Sequence, residues 1–203
     1  MVNSEYRLNL VSDYLTKISL SEDIKNYFIG RNILVTGGAG AIGSNLVIAL
    51  SELVGDQGMV VVMDNLSAIK GNDTIDFPSL SNVMFVKGDV RNDVDLKRVF
   101  RERPTIVYHL AAFFANQNSV DYPENSADVD INGMIKLLDL AQFTDVERFV
   151  YASSGCAIYG SYGKMPLKED FISMHLTTPY QINKMAGEMY ANFYFHHYGL
   201  KIV

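Results

Sequence analysis

Between Ile33 and Leu50 the chain reads ILVTGGAGAIGSNLVIAL, an unbroken apolar run, three glycines at three-residue steps, and then a stretch of helical spacing. A run that is apolar at every position predicts a strand covered on both faces, and such strands belong to parallel sheets. Each glycine has its own use in a strand–turn–helix unit: Gly37 permits the tight turn, Gly40 lets the backbone approach a pyrophosphate, and Gly43 lets the helix pack closely on the strand. The helix that opens at Ala41 and Ile42 presents unpaired N–H groups and a partial positive charge. Glycine spacing alone is weak evidence of a nucleotide site. Here its context is complete, because an acidic residue, Asp64, closes the next apolar run in VVVMDNLS. A carboxylate there can bond both hydroxyls of an adenosine ribose and repels a 2′-phosphate. No Arg stands in the glycine loop to hold such a phosphate, so the expected cofactor is NAD and not NADP.

The same alternation recurs along the chain. Apolar runs at Met59–Met63, Val83–Val86, Thr105–His109 and Arg148–Ala152 read as further buried strands. Helical spacing covers Ala41–Leu53, Asp93–Arg103, Asp128–Phe143 and Pro179–Tyr198, with Thr178 as the cap of the last. The expected fold is α/β: a Rossmann-like, doubly wound parallel sheet with helices on both faces. On its carboxyl edge, Asp89 in VKGDVRN either meets an adenine amino group or caps the helix at 93–103. Leu110, Ala111 and Ala112 follow the fourth strand, where small residues let the backbone run beside a dinucleotide or simply pack tightly. Residues 1–30 read as a helical extension: Leu8, Val11, Leu15 and Ile18 share a face, Ser19 with Glu22 suggests a capping box, and Gly30 ends the second helix. Residues 31–203 form one domain, and Leu200–Val203 begins a sixth strand as the sequence stops.

Composition excludes several classes. A net charge of −6 over 203 residues argues against a general nucleic-acid binder, whose phosphate contacts need clustered Lys and Arg. One cysteine, Cys156, allows no internal disulfide and points to a reducing cytoplasm. No apolar run reaches the ~18–20 residues of a membrane span. The four histidines make no metal-ligand pattern: His196 and His197 face apart on a helix, His109 lies in a strand and His175 in a loop.

The chemistry sits in two segments. TTPYQINKMAGE puts Tyr180 and Lys184 four apart, on one helical face, and YASSGCAIYG puts Ser153 and Ser154 at the end of the fifth strand. A tyrosine that serves as base must lose its proton near neutral pH, against a reference pKa of about 10. An ammonium ~4 Å away, at an effective dielectric of ~20, stabilises a phenolate by about 4 kcal/mol.

Together these segments resemble the extended short-chain dehydrogenase/reductase family, in particular its NAD-dependent nucleotide-sugar epimerases and dehydratases. The resemblance runs from Arg31 to Val203 through TGGAGAIG, the pair Asp64–Asn65, GDVRN with Asp89 and Val90, HLAA, the pair Asn132–Gly133, the serine strand and YQINK. It implies that Asn65, Val90 and Asn132 lie near the cofactor with the glycine loop and the alanines. It also implies that Ser154, Tyr180 and Lys184 form the catalytic group, with Tyr180 and Lys184 reaching the cofactor too. The implied substrate is a nucleotide sugar, oxidised transiently to a ketone. Family dehydratases carry an Asp–Glu pair after the hydroxyl residue, and here Gly155–Cys156 stands there, which disfavours elimination. Epimerisation at sugar C4 is the first expectation, decarboxylation of a nucleotide-linked uronic acid the second. A non-catalytic NAD-binding module stays open, and the Tyr180/Lys184 pair speaks against it.

Two departures stand out. Ser154 to Tyr159 is five steps where the family has four, so either one residue is inserted after Ser154 or Gly155 takes the catalytic place. The normal interval from Ser154 to Tyr180 favours the insertion. Cys156 is either a small space-filling residue or an acid/base like the cysteine some members carry at that place. The resemblance further implies a homodimer through a four-helix bundle of the helices that bear Ile131, Met134, Ile135 and Leu138, and Met185, Met189 and Phe193. The C-terminal substrate domain of extended members is absent from the sequence, so the expectation for this chain is NAD binding with negligible turnover.

Overall fold

The computed structural model describes residues 4–68, 79–113, 116–155, 160, 166–168 and 171–203. Five strands, β1 (Asn32–Thr36), β2 (Met59–Asp64), β3 (Val83–Lys87), β4 (Ile106–His109) and β5 (Arg148–Tyr151), form one sheet in the order β3-β2-β1-β4-β5. Every neighbouring pair is parallel. Thr36 pairs with both Met63 and His109, and His109 with Tyr151, so the strands end level and their loops share one edge. Past β5 the backbone of Phe149 bonds Lys201 and Val203, and Ile202 bridges to Phe149 in parallel. Ile202 thus makes one isolated parallel bridge beside β5, at the place where a sixth strand is expected.

Strand side chains alternate between faces, and each face has its own core. Leu34, Val61, Met63, Val86, Val107 and Phe149 pack on one side; Ile33, Val35, Val60, Val62 and Ile106 pack on the other. The helices are α1 (Ser4–Lys17), α2 (Glu22–Phe28), α3 (Ala41–Val54), α4 (Asp93–Phe100), α5 (Asn116–Asp121), α6 (Pro123–Ala127), α7 (Gly133–Gln142) and α8 (Pro179–Tyr198). α3 covers the second core, while α4, α7 and α8 cover the first. The sheet is doubly wound, as expected.

The differences are local. The cap of α2 is Ser21, whose Oγ accepts from Ile24 N at 3.4 Å, and not Ser19, which is left-handed at φ 47. α4 stops at Phe100, three residues early, and Arg103 turns out of helix at φ 51. The expected helix from Asp128 is interrupted: Asp128–Asn132 form a π-helical turn, and α7 starts only at Gly133. α5 and α6 were not expected, because NQNSVDYPENSA has no apolar stripe; buried Ser119 and Ser126 hydroxyls hold them instead. α8 keeps its expected bounds, with a reciprocal capping box between Thr178 and Gln181 and Gly199 at φ 72 beyond its end.

Candidate active site

The strand order reverses between β1 and β4, and an open α/β sheet binds ligands at that crevice. Gly37 turns there at φ +69, and a Cβ on it would stand 2.6 Å from Ala111 N. No side chain fits between the β1 turn and the backbone of Leu110–Ala111. A Cβ on Gly43 would stand 2.6 Å from Gly38 Cα and closer still to Gly37 O, so α3 rests directly on the turn. The cap of α3 is Gly40, with no side-chain cap bond and no acidic residue in the first turn. Ala41 and Ile42 are exposed at that helix start. This leaves backbone donors and the positive helix end for an anion.

Asp64 lies beside this turn. Its Oδ2 accepts from Ala39 N at 3.0 Å and its Oδ1 from Leu66 N at 2.8 Å, which fixes the carboxylate while each oxygen keeps acceptor capacity. Asp89 is more fully engaged: Oδ1 accepts from Arg91 N and Nε, both at 2.9 Å, and Oδ2 from Arg91 Nη2 at 2.8 Å and Asn65 Nδ2 at 2.9 Å. The Arg91 side-chain bonds hold its pKa far below the usual carboxylate range. Asp89 is not the cap of α4, since Asn92 accepts from Val94 N and Asp95 N there. Val90 is buried beneath Gly133, whose missing Cβ would stand 2.6 Å from Val90 Cγ2.

On the other side of the crevice, α8 meets the end of β5. Ser119 Oγ accepts from Tyr180 N at 3.0 Å and so fixes the first turn of α8. Lys184 is only 3 % exposed, and its Nζ donates to Ala152 O at 2.7 Å. That bond ties the lysine to the backbone just before Ser153 and Ser154. The same Nζ lies 4.8 Å from the Tyr151 ring centre and 5.9 Å from that of Tyr180. Burial draws the pKa of Lys184 down, opposed by the charge of Asp130. Ser154 is half-buried, and Ser153 Oγ is buried with no hydrogen-bond partner among the described residues. The structure therefore holds Lys184 near Tyr180 and on the backbone that leads into Ser153 and Ser154. Cys156 and Tyr159 lie outside the described residues.

The Asn132 side chain is exposed and donates to Asp128 Oδ1 at 3.0 Å. The carboxylate of the π-helical turn that points inward is Asp130, which sequence reasoning missed. Asp130 is 3 % exposed and accepts from Phe113 N at 2.7 Å and Ser126 Oγ at 3.0 Å. Burial raises its pKa, against those bonds and the charge of Lys184. One signal could have found it: Asp130, Met134, Leu137 and Ala141 share a helical stripe, and a carboxylate on an apolar stripe needs a partner. His109 was also missed, read only as a strand residue; it is buried between Thr36 and Tyr151, beside Lys184.

With the order reversing at β1 and these loops turned onto the reversal, the fold is of the Rossmann, dinucleotide-binding class. Residues 33–203 match the NAD dependent epimerase/dehydratase family, and the chain belongs to that family. It is 36% identical over 168 residues to the UDP-glucose 4-epimerase of Mycolicibacterium smegmatis, covering 82% of this chain and 52% of that protein. Among solved structures, an epimerase of Methanothermobacter thermautotrophicus superposes with a TM-score of 0.83 at 48% identity, covering 89% of this chain and 52% of that one. The UDP-glucose 4-epimerase of Thermus thermophilus, solved in complex with NAD, gives 0.72 at 37% identity over 84% and 53%. The chain spans about half the length of the curated relatives it matches.

Proposed function

We propose that this chain binds NAD and carries the acid–base group of a nucleotide-sugar 4-epimerase, an isomerase. The observation that supports this most is Lys184, a buried ammonium held on Ala152 O, one helical turn from Tyr180 and next to the serine strand. A module that only binds a dinucleotide has no use for a buried lysine aimed at a tyrosine. The fit to the cofactor rests on the turn that only glycine fills at Gly37, the uncapped start of α3, and the fixed carboxylate of Asp64. When bound, NAD supplies the hydride acceptor.

The chain's residues do the rest. Tyr180 Oη takes the proton of the sugar hydroxyl while Lys184 lowers the cost of the phenolate by Coulomb attraction. Ser154 donates a hydrogen bond to the oxygen that becomes a carbonyl. Ser153, whose Oγ is buried without a hydrogen-bond partner among the described residues, is the alternative donor. Reversal with the ketone turned over gives the epimer. Asp64 favours NAD over NADP, with Asn65 and Asp89 on the adenosine side.

Two of the relatives named above are UDP-glucose 4-epimerases, which supports a UDP-sugar as the substrate to test first. A homodimer and a cytoplasmic setting belong to the same proposal. The test incubates the protein with NAD and a panel of UDP-sugars, resolving products by NMR, beside Tyr180→Phe and Ser154→Ala. In an active, full-length form, Tyr180→Phe is expected to keep NAD and to lose at least ~100-fold in turnover, the usual worth of a positioned base, and Ser154→Ala to lose less. Undiminished turnover by Tyr180→Phe would overturn the reading. If Ser153→Ala costs turnover and Ser154→Ala does not, the placement of a single inserted residue after Ser154 is wrong.

A further inference from the structure

We propose that the N-terminal helix belongs to the cofactor site, with Arg7 on α1 supplying positive charge beside the anion-binding start of α3. This rests on reading that start as the seat of the NAD diphosphate. From Gly37 to Val54 the loop and helix contain no Lys or Arg and one Glu, Glu52, at the far end. The segment that would face two phosphate charges is therefore uncharged at its working end.

Arg7 comes from outside it. α1 lies against α3 with Leu8, Val11 and Leu15 half-buried. Arg7 Nη2 donates to Ser44 Oγ at 2.7 Å and to Asn45 Oδ1 at 3.3 Å. Ser44 is 7 % exposed and directly follows Gly43, and Asn45 Nδ2 donates to Ala41 O at 2.8 Å. Arg7 is thus bonded to the first turn through two residues, while Ser12 Oγ meets Glu52 at 3.4 Å farther along α3. A cation near the positive end of a helix is unfavourable by itself and becomes favourable once an anion sits there. The matched family region begins only at Ile33, so this contribution is the extension's own.

The experiment titrates the 203-residue protein and Arg7→Gln with NAD, ADP and adenosine by calorimetry at low salt. The expected result is about fivefold weaker binding of NAD and ADP, roughly 1 kcal/mol, with adenosine unchanged. The gap should narrow as salt is raised, since the effect is Coulombic. Arg7→Lys keeps the charge without the fork and should bind ADP within about twofold of the parent. That variant carries the test if Arg7→Gln does not fold. Unchanged ADP binding by Arg7→Gln overturns the proposal, as does an equal loss for adenosine, which would mean a displaced α3. Failure of the parent protein to bind NAD or ADP overturns the cofactor reading itself, an outcome distinct from a silent Arg7→Gln.

Discussion

His109 ends β4 with its ring inside the protein, 1 % exposed. Its Nδ1 is 2.7 Å from Thr36 Oγ1, and the ring stacks on Tyr151 at 5.9 Å with Phe149 edge-on at 6.1 Å. Desolvation, and then the charge of Lys184, pulls its pKa from 6.5 down to about 3. The native state therefore holds a neutral imidazole where the unfolded chain takes a proton. This stability is fully present above the unfolded value and is lost as pH falls from 6.5 toward 3. The slope is at most about 1.4 kcal/mol per pH unit. Asp130 works the other way, because its raised pKa costs stability as pH rises above the ordinary carboxylate range. Asp89, held low by Arg91, adds acid sensitivity only below the ordinary aspartate value of 3.8. Between pH 4 and 6.5, urea unfolding of His109→Gln, which retains a partner for Thr36, should show a flatter dependence on pH than the parent. Parallel curves would mean that His109 takes up its proton without unfolding.

At the scale of elements, α8 is fixed against β5 by the absence of a side chain. A Cβ on Gly187 would stand 2.6 Å from Tyr151 Cζ, closer to its Oη, and 3.0 Å from Met134 Sδ. Tyr151 Oη in turn donates to Lys184 O at 3.5 Å. Gly187→Ala must push the helix off the strand it serves, with an expected loss of about 1–3 kcal/mol as for other overpacked cores. Chemical denaturation measures this, and no loss, or the gain of about 1 kcal/mol that Gly-to-Ala brings in an exposed helix, would show that α8 shifts freely. The sequence made this helix legible through Thr178–Pro179 and Gly199, and the strands through their unbroken apolar runs. It did not reveal α5, α6 or the π-helical turn. Those depend on buried hydroxyls and a buried carboxylate meeting partners far along the chain: Ser119 with Tyr180 N, Ser126 with Asn183, and Asp130 with Phe113 N. Tyr180 and Lys184 could be paired from their spacing, whereas Asp130 needed the fold to reveal what it faces.

For the whole molecule, the faces that stay uncovered decide the assembly. Three of the residues expected at a two-fold bundle are not available for one: Met134 and Leu138 are wholly inside the core and Met185 is 9 % exposed, because α7 and α8 use them against the sheet and each other. The outward stripe of α8 is Ile182, Ala186, Met189 and Phe193, at steps of four, three and four. Ile182 is 51 %, Met189 59 % and Phe193 44 % exposed. Steps of four and three keep a stripe on one side of a helix over three turns, the spacing by which helices pair along their length. Ile131 and Ile135 are half-buried on the neighbouring π-helical turn and α7. Apolar side chains grouped this way favour association at about 25 cal/mol per Å² removed from water. The homodimer proposed above would thus be held through Ile182, Met189 and Phe193 and not through the inward residues. Light scattering at micromolar concentration should give twice the mass of one chain. Met189→Glu should return it to a single folded chain with an unchanged far-UV circular dichroism spectrum, because Met189 is 59 % exposed. A monomer in the parent protein, or a dimer indifferent to Met189→Glu, would move the interface off this stripe.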